Sequence, residues 1–168
     1  MDDDQPEDLT DASVEKTYRE ALDLAVRARA YLVSRLGGGK AEHSADLAAQ
    51  ISYAAETMRM TSRLMHVVAW GLNRRAVRAG ELSETDVQAP DRRLGGAEVC
   101  LGEGIGDPEM LPDAVREMVD ISEDLYKRAL RLEECLDLRR EDASQENAAL
   151  DDHPVHRMWE SLRDPGEG

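Results

Sequence analysis

The chain has 168 residues, a formal net charge of −15, no Phe and few other aromatic residues. This length is sufficient for one domain with a hydrophobic core, whereas two domains would be crowded. The charge is concentrated at the ends: residues 1 to 11 hold six acids and no base, residues 141 to 168 hold eight acids and two bases, and residues 12 to 140 carry only −3. Such acidic ends are repelled by nucleic acids and anionic membranes, which excludes these as partners of the tails.

The sequence also predicts where the protein resides. Its start, MDDDQPEDL, has neither the basic nor the apolar region of a signal peptide. The longest apolar run, residues 64 to 72, contains His66 and is too short to span a membrane. Cys100 and Cys135 lack paired spacing and suit a reducing compartment. We therefore expect a cytoplasmic protein that does not bind membranes.

Three segments show helical periodicity. Their apolar residues are mostly Leu, Val, Ala and Met, and these recur every three or four positions. The first segment stops at the triple glycine Gly37 to Gly39, because glycine commonly terminates helices. The second either kinks at Gly71 or forms a straight spine. The predicted helices cover about 13–36, 44–79 and 112–142. We predict an all-α fold, an antiparallel three-helix bundle over residues 12–142, preceded by a disordered acidic lead at 1–11.

A long connection joins the second and third helices. It contains several Gly and Pro residues, and Ser83 with Asp86 three positions later indicates one short helical turn. The spacing of Gly102, Gly104 and Gly106 does not match a dinucleotide-binding loop, so we interpret these residues as a flexible loop. The expected anchors of the connection on the bundle are Leu94, Val99, Leu101 and Ile105.

The second helix has apolar residues on two opposite sides. At about 100° per residue one stripe contains Ala54, Met58, Met65, Val68, Leu72 and Ala76. The opposite stripe contains Tyr53, Met60, Leu64, Val67 and Gly71. Each stripe needs its own cover, so we expect the first to close the bundle and the second to pair two subunits. The predicted homodimer interface is Tyr53, Met60, Leu64 and Val67.

A polar row runs between the two stripes and is a candidate surface for partners. It comprises Arg59, Arg63, His66, Trp70 and Arg74. No acid occurs from Thr57 to Gly80, so the arginines form either a nucleic-acid surface or internal ion pairs. The second interpretation is favoured because, if the second and third helices are antiparallel, the arginine-rich half lies beside the acids that begin the third helix, Asp113, Glu117, Asp120, Glu123 and Asp124. Trp70 is either covered by the connection or an anchor for a partner, and both remain open. The predicted docking residues are Arg59, Arg63, Trp70 and Arg74.

The last segment, residues 143–168, is predicted to be a flexible acidic tail with a short amphipathic tag. The tag consists of Val155, Met158, Trp159 and Leu162, which share one helical face. Its spacing does not decide whether it docks on the bundle or on another protein, and we include these four residues among the docking candidates.

No motif predicts catalysis, a cofactor or a metal. The run LGGGKA resembles a phosphate loop but has Arg35 and Ala41 where that loop requires Gly and Ser or Thr. His153 and His156 lack further metal ligands, and no Cys, His and carboxylate arrangement suggests a nucleophile. We therefore expect a protein that is not an enzyme.

Part of the second helix is similar to a known family. The run AETMRMTSRLM at 55–65, with Ala69-Trp70, Arg75-Ala76-Val77 and Gly80-Glu81-Leu82 after it, resembles the RcdA family, regulators of CtrA degradation in alphaproteobacteria. Tyr31-Leu32 and the RLGG stretch at 93–96 extend the resemblance to most of residues 14–140. It implies a homodimeric three-helix bundle with a flexible C-terminal tail and no enzymatic activity.

The resemblance also implies a role. The expected protein is an adaptor that, with a single-domain response regulator, brings cell-cycle regulatory proteins to the ClpX unfoldase of the ClpXP protease. No contact residue is carried over from the family. Two alternatives remain: a DNA-binding regulator that uses the arginine face of the second helix, and a dimeric scaffold unrelated to proteolysis.

Overall fold

The protein is all-helical over the residues that its computed structural model describes, which are 6–37, 46–104 and 106–151. No strand occurs in these ranges, which confirms the predicted all-α class. The helices are α1 (Pro6–Gly37), α2 (Leu47–Arg78), α3 (Ala97–Leu101) and α4 (Asp113–Asp151), with 3₁₀ turns at Asp86–Gln88 and Pro108–Met110.

Helix α1 begins earlier than the sequence suggested. Part of the acidic lead, from Pro6 onward, is helical rather than disordered. Pro is favoured in the first helical turn, and acids there interact favourably with the helix dipole, so this start has a physical basis. The end of α1 at Gly37 agrees with the predicted stop.

Helix α2 matches its predicted range closely. Asp46 caps its start by accepting a hydrogen bond from the Ala48 backbone N–H at 2.9 Å. The helix continues through Gly71 and ends at Arg78, before Gly80, whose φ of 74° suits glycine. The predicted start at residues 44 and 45 lies outside the described residues.

Helix α4 extends to Asp151, nine residues beyond the predicted end. The segment from 143 to 151 contains three Ala together with one Gln, one Glu and one Leu, all of which propagate helices well, and this explains the extension. Within the described residues, the contacts divide the chain after Leu132 into two units. The first unit contains α1, α2, the connection and the first part of α4.

The core of the first unit is built by α1, α2 and α4. Tyr18 of α1 lies against Gly71 of α2, and Glu15 pairs with Arg78, so the start of α1 is next to the end of α2. Arg27 of α1 pairs with Glu117, and Arg128 pairs with Glu20. The buried apolar residues include Val14, Tyr18, Ala21 and Leu24 of α1, Met60, Leu64, Val67 and Trp70 of α2, and Val115, Met118, Leu125 and Tyr126 of α4.

The connection contains the turn predicted at Ser83. Asp86 Oδ2 accepts hydrogen bonds from the Ser83 backbone N–H at 2.8 Å and from its hydroxyl at 2.7 Å, and the Asp86 N–H donates back to Ser83 Oγ at 3.1 Å. These bonds lower the pKa of Asp86. Of the predicted anchors Leu94 is buried, but Val99 and Leu101 are exposed, and Ile105 lies outside the described residues. The connection is anchored instead by Val87, Cys100 and Leu111, together with Leu94.

Candidate functional site: the arginine face of α2

Arg63 is the centre of the polar row, and it is buried, with 1% of its surface exposed. Its Nε donates to the Cys100 carbonyl at 2.7 Å, its Nη2 to Glu123 Oε2 at 3.0 Å and its Nη1 to Ser122 Oγ at 3.4 Å. Burial lowers the pKa of Arg63. The guanidinium nevertheless stays charged at neutral pH, because arginine does not lose its proton in proteins. This one side chain therefore joins α2 to both α3 and α4.

Glu123 is the counter-charge of Arg63 and is partly exposed. Lys127 Nζ also contacts its Oε1 at 2.7 Å. That hydrogen bond and the positive charge of Arg63 hold the pKa of Glu123 below its ordinary value, although burial acts in the opposite direction. The carboxylate stays ionised at neutral pH, as the buried guanidinium requires.

Arg59 lies one turn before Arg63 and has a similar role. Its Nε donates to the Val99 carbonyl at 3.4 Å, its Nη2 donates to the Gly102 carbonyl, and its Nη1 pairs with Glu56 Oε1 at 2.7 Å. The carbonyls at the C-terminal end of a helix carry partial negative charge, so the two arginines are placed favourably at the end of α3.

The later part of the row also makes contacts within the chain. Arg74 Nη2 lies 2.8 Å from Glu84 Oε1, and Asn73 Nδ2 donates to the Arg92 carbonyl at 2.9 Å. Arg75 and Arg78 both contact Glu15 Oε2, at 3.4 and 2.9 Å. Each arginine of α2 therefore has an acidic or carbonyl partner.

These partners differ from most of the acids that the sequence suggested. Arg63 pairs with Glu123 as expected of the start of the third helix. The remaining arginines pair with Glu56, Glu84 and Glu15, which lie on α2 itself, on the connection and on α1. The reason is the order of the helices: the start of α1 lies near the end of α2 but near the middle of α4, so the late arginines of α2 are not beside the acids that begin α4.

Trp70 is buried, with 2% of its surface exposed. Its Nε1 has no hydrogen-bond partner among the described residues. His66, one turn earlier, lies against Gly95 and Gly96, and Arg74, one turn later, pairs with Glu84. The structure thus fits the alternative in which the connection covers Trp70. It does not present Arg63 or Trp70 as a docking surface.

Glycines allow the connection to lie this close to α2. A Cβ on Gly96 would be 2.4 Å from His66 Nε2, and a Cβ on Gly104 would be 2.8 Å from Glu56 Oε1. A Cβ on Gly106 would be 1.9 Å from Ser52 Oγ. Of the glycines predicted to form a flexible loop, Gly104 and Gly106 are therefore needed for close approach to α2, and the flexibility of the loop stays a prediction. Their alternate spacing was the available sequence signal.

The two apolar stripes of α2 are placed in reverse of the sequence-based assignment. Met60, Leu64 and Val67, expected to form a dimer interface with Tyr53, are buried inside the single chain, and Tyr53 is half-buried. The other stripe, expected to be core, is largely exposed: Met58 is 71%, Met65 67% and Leu72 49% exposed. The buried stripe includes Gly71, which admits Tyr18 of α1.

Helix α1 extends this exposed surface. Leu22, Val26 and Val33 are exposed on α1. A groove of about 390 Å³ separates the two helices, and residues lining it include Leu22, Ala25, Leu32, Val33, Met65 and Val68. We call seven of the exposed apolar residues of these helices the outer face: Leu22, Val26 and Val33 of α1, and Ile51, Met58, Met65 and Leu72 of α2.

The remaining docking candidates, Val155, Met158, Trp159 and Leu162, lie outside the described residues, as do His153 and His156.

Residues 6–164 match the family described as "Protein of unknown function (DUF1465)". The chain belongs to the DUF1465 family. No curated protein and no solved structure matches it.

The described part of this DUF1465 chain lacks two kinds of feature. Within the described ranges, no three His, Cys, Asp or Glu residues are grouped so that they could hold a metal ion. In the same ranges, no helix combines the length and apolar character that crossing a bilayer requires.

Proposed function

We propose that this protein is a non-enzymatic, homodimeric adaptor that delivers cell-cycle regulatory proteins to the ClpXP protease. It would act with a single-domain response regulator and the ClpX unfoldase, in the cytoplasm or at a cell pole. Tethering raises the effective concentration of a client near the protease, and this needs binding surfaces but no catalytic groups. The resemblance of α2 to the RcdA family supplies the specific partners.

The observation that carries the proposal is the outer face. Its seven apolar side chains are between 36% and 71% exposed. Extended exposed apolar surface on a protein often marks an interaction site. An interaction protein accounts for this surface better than an enzyme does.

We assign the outer face to the homodimer. Ile51, Met58, Met65 and Leu72 repeat every seven residues, the period at which helices pack side by side. Two copies could place their α1 and α2 helices together around this seam, in an isologous interface. Helix α2 would then be core on one stripe and subunit interface on the other, with the two stripes exchanged relative to the sequence-based assignment.

The contacts among the long helices support a three-helix bundle as the subunit, in which α1 is antiparallel to both α2 and α4 and these two are therefore parallel to each other. Glu15 and Tyr18, early in α1, contact Arg78 and Gly71, late in α2. Along α4 the order is likewise opposed to α1, because Glu117 pairs with Arg27 whereas Arg128 pairs with Glu20.

The alternative of a DNA-binding regulator has less support. The arginines that suggested it have partners within the chain, and Arg63 is buried. Phosphate would have to displace those partners while approaching a protein of net charge −15. A dimeric scaffold without a role in proteolysis shares the outer face and differs only in its partners.

The dimer is tested by Met58→Glu combined with Met65→Glu. Two charges cannot be desolvated in an apolar interface, so the variant should elute as a helical monomer in light scattering. Met110→Glu is the matched control: Met110 is exposed at 43% but lies in the connection, so that variant should remain dimeric. A double variant that stays dimeric would refute the assignment of this face.

The adaptor role is tested by reconstituted degradation. A cell-cycle regulator is incubated with ClpXP and the response regulator, with and without this protein. Faster degradation in its presence supports the adaptor, whereas an unchanged rate favours the scaffold. Titration with duplex DNA at low salt tests the DNA-binding alternative, and binding would support it.

A further inference from the structure

Residues 83–104 form a strap across α2. Glycines lie near both of its ends, with Gly80 at φ 74° before it and Gly102 and Gly104 at its end. Its buried apolar side chains are Val87, Leu94 and Cys100, whereas Val99 and Leu101 point mainly to solvent. A segment with few buried apolar side chains is at the low end of local stability within a protein.

Most of the bonds that hold the strap to the long helices end on its backbone carbonyls. Arg63 donates to the Cys100 carbonyl, Asn73 to the Arg92 carbonyl at 2.9 Å, and the Tyr126 hydroxyl to the Gly95 carbonyl at 2.7 Å. Water can replace the strap at each of these donors, so the long helices keep their own hydrogen bonds and their apolar contacts when the strap leaves.

In the closed state two polar groups beneath the strap are energetically unfavourable. Arg63 is a charged group with almost no exposure to water, and Trp70 Nε1 is buried without a partner among the described residues. Both groups gain hydration when the strap opens. Trp and Arg are also the residue types that most often dominate protein interfaces.

We propose that the strap opens as a unit while α1, α2 and α4 stay folded, and that opening uncovers an interaction face formed by Arg59, Arg63, Trp70 and Arg74. In the closed state the strap occupies this face with its carbonyls and with Glu84. The bound strap thus acts as an internal competitor for a partner that presents carboxylates or helix-end carbonyls. This device rests on the contacts of the strap and does not depend on the adaptor role.

Cys100 provides a direct reporter of opening. Its thiol is fully buried on the strap, and burial raises its pKa, so it should not react with a thiol reagent while the strap is closed. Cys135 is exposed and is removed by Cys135→Ser, which leaves Cys100 as the single thiol. The labelling rate, divided by the rate in denaturant, gives the opening constant, and circular dichroism in urea gives the global unfolding constant.

For the Cys135→Ser protein without urea, we expect an opening constant at least tenfold larger than the unfolding constant, roughly independent of low urea. If the two constants coincide and share one urea dependence, the strap opens only when the whole protein unfolds and the proposal is wrong. This comparison needs no further variant to fold.

Tyr126→Phe sharpens the test because it removes two bonds between α4 and the strap, from the hydroxyl to the Gly95 carbonyl and between the hydroxyl and the Cys100 thiol. Division by the rate in denaturant removes any change in the intrinsic reactivity of the thiol. We expect Tyr126→Phe to raise the opening constant about fivefold or more relative to the unfolding constant. Tyr18→Phe is the matched control, since Tyr18 is also a buried tyrosine but packs between α1 and α2. It should leave the ratio of the two constants unchanged. An equal effect of the two substitutions on this ratio would contradict the proposal.

Discussion

Gly71 of α2 lies directly against Tyr18 of α1, and a Cβ at Gly71 would be 2.8 Å from Tyr18 Cδ2 and 2.9 Å from Tyr18 Cβ. The guanidinium of Arg75, one turn later, lies over the same ring at 4.8 Å from its centroid. The absence of a side chain at one position of α2 therefore determines where α1 packs.

Gly71→Ala should destabilise the protein by about 1 to 3 kcal/mol, because the added methyl group overpacks the contact with Tyr18. The better helix propensity of Ala would by itself act in the opposite direction, by about 1 kcal/mol. Urea unfolding measures the difference, with the exposed Ala69→Gly as a control that reports propensity alone. A Gly71→Ala protein more stable than the wild type would show that α1 can move away at no cost.

Glu123→Gln should destabilise by about 1 to 3 kcal/mol, since it leaves the buried Arg63 charge without its counter-ion. Glu117→Gln is the matched control on the same helix. Glu117 pairs with Arg27 at 3.5 Å, but both side chains are more than half exposed, so its loss should change stability by less than about 0.5 kcal/mol. Equal effects of the two substitutions in thermal unfolding would mean that Arg63 does not depend on Glu123.

Met60→Glu and Met65→Glu distinguish the two stripes of α2. Met60 is 1% exposed and Met65 is 67% exposed, although they are five residues apart on one helix. An unpaired buried charge costs about 3 to 5 kcal/mol, so Met60→Glu should unfold most of the protein or greatly lower its melting temperature. Met65→Glu should retain its helical circular dichroism at low concentration. The opposite order would restore the sequence-based assignment of the stripes.

Stability should fall in acid through Glu15. Burial raises the pKa of this carboxyl, but hydrogen bonds from Arg78 and Arg19 and the charge of Arg75 outweigh it and hold the pKa below its ordinary value of 4.5. Because the pKa of Glu15 is lower in the folded state, the ionised carboxyl stabilises the fold fully above pH 4.5. This stabilisation is lost as the pH falls through the pKa of the folded state.

The corresponding experiment is urea unfolding between neutral and acidic pH. Glu15→Gln should lower stability at neutral pH and flatten the acid limb, because the carboxylate contacts with Arg75 and Arg78 are already lost. Wild type and variant should converge in acid. A constant difference at every pH would show that Glu15 acts through packing rather than charge.

Several elements were predictable because their causes are local. Helix periodicity, the termination of α1 at Gly37 and the reciprocal hydrogen bonds of Ser83 and Asp86 depend on residues a few positions apart. The early start of α1 and the long end of α4 were missed because acidic composition suggested disorder, whereas acids near a helix start and Ala-rich segments favour helix.

The sequence by itself determined that this chain is helical and that α2 has two apolar stripes separated by an arginine row. Only the tertiary structure decided which stripe faces inward, because both are similarly apolar and the choice depends on contacts such as Tyr18 with Gly71. The tertiary structure also decided the partners of the arginine row. Arg63 contacts Cys100 and Glu123, which are distant in sequence, because the strap and α4 pack against α2. Periodicity specifies the faces of a helix, whereas long-range packing specifies what covers each one.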